Sequence, residues 1–451
     1  MTTDFSKGSP TKLILAFTVP YLIGNLFQQF YNIADTVIVG QILGVRALAA
    51  VGATGSLVWF ASGAIQSLTT GFSAVTAQMF GANDMKGVKK SFALSITLSA
   101  IISVLMTVLC CAFAMPILRL LNTPSDIINM SYNYVIWIFG GLCATALYNL
   151  LSNMIRALGD SKTPLYFLIV ASIINIVLDI VFILCFGMGP EGAGIATVIA
   201  QLLSGLCCVV YVVKKLPILH FERSDFKYDG AMVSLLLKTG LPMAFLNMVI
   251  SVGGIITTFV YNGLDTLAVA AYTAANKLEQ FVTQPFLSLG SATAVYCAQN
   301  YGAREYRRIR KGVNSAVIMS LIWAAVASVL LFLVGRPALT LVVSSEGVTA
   351  AEYGTILSNG FFYILSNTLL TVILGPLVIY KSALQSMSRA TMPLVSGFTE
   401  IIGRAGTAIA LAPVFGFAGV CFANPAAWLM GLIPIAIDYW VLVRKFKKLE
   451  G

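Results

Sequence analysis

Six ionisable residues sit where an apolar environment should exclude them: Asp35, Asp179, Lys277, Glu279, Glu400 and Arg404, each inside a long hydrophobic stretch. An ionised group in hydrocarbon costs about 3 kcal/mol even on lenient scales, so each needs a partner or a use. Asn175 precedes Asp179 by four residues, which puts amide and acid on one helix face. Asp35 lies about six residues, roughly 9 Å, before the outer end of its stretch, and Asp179 about eight residues, roughly 12 Å, before the turn at Gly187. Thr197 lies a similar distance down the next stretch. Two acids, an amide and a hydroxyl at one depth have two uses. They can share one proton, because like charges in apolar surroundings resist ionising together. They can instead coordinate a monovalent metal cation such as sodium through Asp35, Asn175, Asp179 and Thr197. Either makes an ion-coupled switch; a water-satisfied patch that holds helices together is the bland alternative.

The second half carries a different set. Glu400 and Arg404 are four residues apart and can neutralise each other, while Lys277 and Glu279 lie at similar depth on another helix. This polar network is either a closed set of ion pairs or a second coupling or substrate site. Asp438, near the end of the last stretch, is expected to snorkel. Beside the acidic cluster, Gln28, Tyr31, Asn149, Asn153 and Met154 could line a substrate cavity. Pro20, fifteen residues before Asp35, removes one backbone hydrogen bond and predicts a kink, either a hinge coupled to Asp35 or static packing. Other chemistries lack parts. The one histidine, His220, lies in a charged connector, and the eight cysteines fall in apolar runs without metal-ligand spacing. The chain is therefore expected to be no enzyme and to need no cofactor beyond a coupling ion, a proton or sodium.

The elements that position these groups are membrane helices. Of 451 residues, 58% are hydrophobic and 10% charged, against about 25% charged in a soluble domain. Mean hydropathy is +0.88. That excludes a soluble fold, and unbroken runs such as Leu94 to Met115 and Val317 to Val334 exclude a β-barrel. At about 38 residues per helix and loop, the length allows about twelve spans of about 20 residues or more. The expected helices are 13–40, 47–80, 88–115, 128–157, 164–187, 193–214, 233–262, 266–302, 312–335, 352–386, 393–413 and 418–443. The net charge of +10 is distributed as a topology signal and does not form a nucleic-acid groove. Basic residues crowd the two termini and the even-numbered connectors, whereas the odd-numbered connectors hold Arg46, Arg119 and Arg336. Both termini are therefore expected in the cytoplasm. The first apolar stretch shows no small-residue cleavage site and reads as a span.

The chain also repeats itself at a spacing of about 221–229 residues. AQMFGA at 77–82 returns as AQNYGA at 298–303, and each precedes a basic connector. TVPY around Pro20 returns as GLPM around Pro242, LGDSKTPL as MSRATMPL, and FGMGPEGAGIA at 186–196 as FGFAGVC at 415–421. The expected fold is all-α and polytopic: twelve transmembrane helices in two pseudo-symmetric six-helix bundles. Residues 1–215 form an N-lobe (helices 1–6), 216–232 a cytoplasmic linker and 233–451 a C-lobe (helices 7–12). Parallel repeats of this kind place a substrate site near the midplane and rock about it.

With these motifs in hand, the chain resembles the multidrug and toxic compound extrusion (MATE) transporters over its whole length. The likeness rests on DTVIVGQILGVRALAA at 35–50, RALGDSKTP at 156–164, AQMFGA with its echo, and NIVLD at 175–179 followed by Thr197. It implies export of bulky, often cationic and lipophilic drug-like compounds by antiport with inward-moving protons or sodium ions, from a bacterial inner membrane. The lipid bilayer is then the partner surface, no nucleic acid is involved, and monomer is the default state. In prokaryotic members related to the DNA-damage-inducible type, the N-lobe cluster that couples ions maps onto Asp35, Asn175, Asp179 and Thr197. The bending proline maps onto Pro20, and N-lobe drug contacts fall near Gln28, Tyr31, Asn149 and Asn153. The norfloxacin-exporter branch carries acids in its seventh and tenth spans. Here the seventh span has none, and the tenth has none after Glu352. The alternative within the superfamily is a flippase of lipid-linked saccharides, for which a basic cavity and often fourteen spans are expected.

Overall fold

The computed structural model describes residues 3–121, 123–343 and 349–450. Within them the chain forms thirteen α-helices: α1 Pro10–Leu43, α2 Val45–Gly81, α3 Met85–Leu120, α4 Ile128–Gly140, α5 Leu142–Ala157, α6 Lys162–Ile180, α7 Pro190–Lys215, α8 Gly230–Asn262, α9 Thr266–Gly302, α10 Tyr306–Val342, α11 Ala350–Ser386, α12 Thr391–Cys421 and α13 Ala423–Glu450. Ten helices are long and apolar enough to cross a membrane, eleven if α4 and α5, bent by 44° at Gly141, count as one span. The chain is thus a multi-pass, all-helical membrane protein. α9 is 37 residues long but carries Asn276, Lys277, Glu279 and Gln280.

Every expected helical stretch holds a helix; the third and ninth run longer than expected, to Met85–Leu120 and Tyr306–Val342, and three others depart in form. The fourth is broken at Gly141. The fifth ends not at 187 but in a π-helical turn, Val181–Cys185, in which the Phe186 N–H donates to the Val181 carbonyl five residues back, at 3.1 Å. The eleventh does not stop at 413. Its helix continues to Cys421 across a kink at Gly416 (φ 56°, ψ −135°), so α13 begins at Ala423 and not at 418. Local chemistry sets the ends elsewhere. α7 opens with Pro190 and Glu191 and closes with Lys214 and Lys215, signs that complement the helix dipole.

The internal repeat is written into the backbone. Left-handed conformations occur at Asn83 and Arg304 (φ 57° and 58°), at Gly159 and Ser388 (85° and 58°), and at Gly187 and Gly416 (64° and 56°). Each pair is separated by the repeat spacing, so a positive φ recurs at matching points even where glycine is not conserved between the halves.

The helices pack as two compact units. Unit 1 holds the described residues of Val19–Met248 together with residues 3–7 and Ala298–Arg304; unit 2 holds Gly8–Thr18, Val249–Cys297 and the described residues from Glu305 onward. The main core of unit 1 joins Leu68, Phe72 and Val75 of α2, Val88 and Phe92 of α3, Leu150, Leu151 and Met154 of α5, and Cys208 and Val212 of α7. The core of unit 2 includes Tyr261, Tyr363, Ile364, Ala408 and Cys421.

Two features of unit 1 explain sequence motifs. In the repeated AQxxGA motif, a Cβ on Gly81 would lie 1.9 Å from the Gln299 carbonyl oxygen, and one on Gly302 1.8 Å from that of Gln78. The two copies pack against each other reciprocally, and only glycine permits the approach. The connector after α7 is not a loose tether. Leu216 and Leu219 are buried in the main core, Phe221 packs on Phe92 with ring centroids 5.7 Å apart, and Lys90 Nζ lies 2.6 Å from the Asp229 carboxylate. The Lys90 ammonium holds the Asp229 carboxyl below its ordinary range.

Candidate cation-coupling site

The site is assembled in unit 1 by three helices. α1 presents Gln28, Tyr31 and Asp35, spaced by three and four residues and hence on one face. α6 presents Asn175 and Asp179, and α7 presents Thr197 and Gln201, each pair one turn apart. The Asp35 and Asp179 carboxyls meet within hydrogen-bonding reach. Asn175, oriented by its neighbours, donates from its amide nitrogen to Asp35 Oδ1 at 3.1 Å and accepts the Thr197 backbone N–H at 3.3 Å. Thr197 therefore joins the cluster through its main chain, where the sequence suggested its hydroxyl. Tyr31 reaches Gln28 and Gln201, and the phenol of Tyr134 from α4 lies within electrostatic range of Tyr31 and both acids.

Asp179 is fully buried, and among the described residues no donor reaches either of its oxygens. Its polar neighbour is another carboxyl. A buried carboxyl beside a half-buried one needs a positive charge or a shared proton between them.

The remaining candidates divide. Gln28 and Tyr31 are brought to the acids. Asn149 is half-buried on α5. Asn153 is turned to α2, donating to Thr69 and Thr70 Oγ1 at 3.1 and 3.2 Å and receiving Arg156 on its oxygen. Met154 is fully buried in the apolar core, so it packs helices and lines no open surface. The α5 residue that comes into range of Tyr31 is Tyr148. Pro20 lies inside an unbroken α1. The Arg156 guanidinium stacks over the neighbouring Tyr21 ring, 4.6 Å from its centroid.

Unit 2 rearranges the expected pairs. Glu400 does not pair with Arg404; Lys381 Nζ reaches its carboxylate at 2.5 Å, and Ser396 Oγ donates to it at 3.0 Å. Glu279 does not pair with Lys277, whose side chain is exposed. Its carboxylate accepts from the Tyr363 hydroxyl at 2.6 Å, and Asn424 Nδ2 donates to that hydroxyl at 3.1 Å. Asp438 does not snorkel; it accepts from Arg389 at 2.6 Å. Tyr134, Tyr148, Gln201, Lys381, Tyr363 and Asn424 were missed by sequence reasoning. Two had a signal: Gln201 stands one turn beyond Thr197, and Lys381 lies inside its expected span.

The comparisons with known proteins bear on this architecture. The MatE family profile matches residues 20–181 and again 242–403, one match per repeat. The probable multidrug resistance protein YoeA of Bacillus subtilis (strain 168) is 29% identical over 372 residues, 81% of this chain and 80% of that protein. The FAD transporter of Shewanella oneidensis is 25% identical over 400 residues, 87% of this chain and 85% of that protein. The solved outward-facing structure of a multidrug resistance MATE family transporter of the MOP superfamily superimposes with a TM-score of 0.91, covering 99% of this chain and 100% of that one at 21% identity. The chain belongs to the MatE family, whose members are membrane transporters.

Proposed function

We propose that this protein is a proton-coupled multidrug exporter of a bacterial inner membrane, with both termini cytoplasmic. Twelve spans, counting α4 with α5 as one and including α9, would form two six-helix lobes that rock about the cargo. The observation that carries the coupling is the pairing of Asp35 with the fully buried Asp179, whose oxygens no donor reaches among the described residues. Cargo binds from the cytoplasm, near Gln28, Tyr31 and Asn149, while the pair is charged. A proton from outside then loads the pair, weakens cargo binding and bends α1 at Pro20. Linkage requires that proton and cargo weaken each other's binding by the same factor. The relatives named for multidrug resistance support the cargo class, and the N-lobe position of the acids supports kinship with the DNA-damage-inducible branch.

The test is efflux of a cationic dye from proteoliposomes under an imposed pH gradient. Asp35→Asn is expected to abolish gradient-driven efflux while the protein remains folded and monodisperse. Unimpaired efflux in that variant would overturn the reading. Wild-type efflux that follows a sodium gradient and ignores the pH gradient would replace the proton by sodium.

A further inference from the structure

The two halves repeat in backbone, but not in charge. α1 aligns with α8 so that Pro20 meets Pro242 and Asn25 meets Asn247; α6 aligns with α12 so that Pro164 meets Pro393 and Gly187 meets Gly416. In that register Tyr31 corresponds to Gly253, Asp35 to Thr257, Asn175 to Arg404 and Asp179 to Ala408. Unit 2 therefore repeats the helix pair of the acidic site with its polarity inverted. Both acids are gone, and a guanidinium replaces the amide.

The structure brings these positions together. Arg404 Nη1 lies 3.3 Å from where a Cβ on Gly253 would be, so the guanidinium passes over the glycine that replaces Tyr31. Thr257 and Ala408 are buried. Arg404 is within electrostatic range of Glu279 and Tyr272. Glu279, however, is already held by Tyr363, and no ion pair or hydrogen bond joins it to Arg404 among the described residues. The buried Arg404 Nε has no acceptor there either. A guanidinium carries five donors in a planar fork that matches an oxyanion with two parallel hydrogen bonds. Within a membrane span such a group is expected to serve a function.

We infer that unit 2 holds an anion-binding subsite at Arg404, which takes the carboxylate or phosphate of an amphiphilic cargo molecule. The inference rests on the transporter reading only in calling the ligand cargo. The exported compounds then include acids and zwitterions and are not confined to cations.

Binding is measured without transport, with the full chain in phosphatidylcholine nanodiscs and dansylglycine or its methyl ester as fluorescent probe. The wild type is expected to bind the acid about tenfold or more tightly than the ester, the scale of one lost charge-assisted hydrogen-bonding group. Arg404→Gln removes that preference, and Arg404→Lys keeps part of it. Thr257→Asp, which restores the acid of the other repeat, removes it by neutralising Arg404 and serves if Arg404→Gln does not fold. Equal binding of acid and ester by the wild type, or an unchanged preference in Arg404→Gln and Thr257→Asp, overturns the inference. So does loss of acid binding when phosphatidylglycerol is added, because the site would then be a lipid headgroup site. Asp35→Asn is expected to keep the acid preference, so failure of the proton-coupling reading registers separately.

Discussion

Asp160 stands in the RALGDSKTP segment that served as a family marker, and its role is structural. It accepts from the Lys162 and Thr163 backbone N–H groups at 3.1 and 3.0 Å, from Thr163 Oγ1 at 2.7 Å and from the Tyr211 hydroxyl at 3.0 Å. Burial pushes its carboxyl up, but the Thr163 and Tyr211 donors outweigh burial and hold it below its ordinary range. A carboxyl lowered on folding stabilises the fold above its unfolded value, about 3.9, and that contribution is lost as pH falls through the folded value. Asp160→Ala is therefore expected to cost about 1–2 kcal/mol near neutral pH, as loss of a helix cap does. The difference from wild type should shrink in acid, and thermal unfolding in detergent at both pH values checks this. Spacing alone places Asn175 and Asp179 on one face of α6, where both are buried, because one helix decides that outcome. It failed for Glu400 because a four-residue spacing says which face a charge occupies, not whether another helix offers a nearer cation. Lys381 did so.

The helices themselves were legible as long apolar runs between basic connectors. Their interruptions were less so. Gly140 and Gly141 sit in an apolar run that reads as continuous, and the bend there depends on what each half-helix packs against. Gly416 looked like a loop because a glycine beside Phe415 and Phe417 resembles the turn at Gly187. The membrane favours keeping backbone groups bonded within a helix, so the helix resumes after a single left-handed residue. The AQxxGA motifs were visible as a repeat, but their purpose required seeing each glycine under the other copy's carbonyl. Gly81→Ala is expected to cost about 1–3 kcal/mol by overpacking, and Gly302→Ala a similar amount. Because the contacts are backbone carbonyls, neighbouring side chains cannot move aside, and a lowered melting temperature of the purified protein would register it.

At the scale of the whole chain, linear order and spatial grouping differ. The repeat sets a boundary near the connector after α7, yet that connector packs on α3, and α8 remains with unit 1 up to Met248. α1 also changes unit, between Thr18 and Val19, one residue before Pro20. Repeats record how a gene grew, whereas grouping in space records which side chains bury one another, and the first does not dictate the second. A proline beside the changeover in a continuous helix is well placed to be a flexing point. Pro20→Ala is expected to slow dye efflux by about tenfold while leaving dye binding unchanged, the pattern of a lost conformational step. A combined binding and turnover assay distinguishes this from a packing defect, which would lower both.

The π-helical turn Val181–Cys185 begins two residues after Asp179 and closes the helix that carries it. A turn of that kind pairs an N–H with a carbonyl one residue further back than the α-helical ladder does, and such turns occur often at functional sites. The end of α6 beside the buried acid is therefore wound more loosely than the rest of the helix, and the coil is free to change its pitch there without a proline.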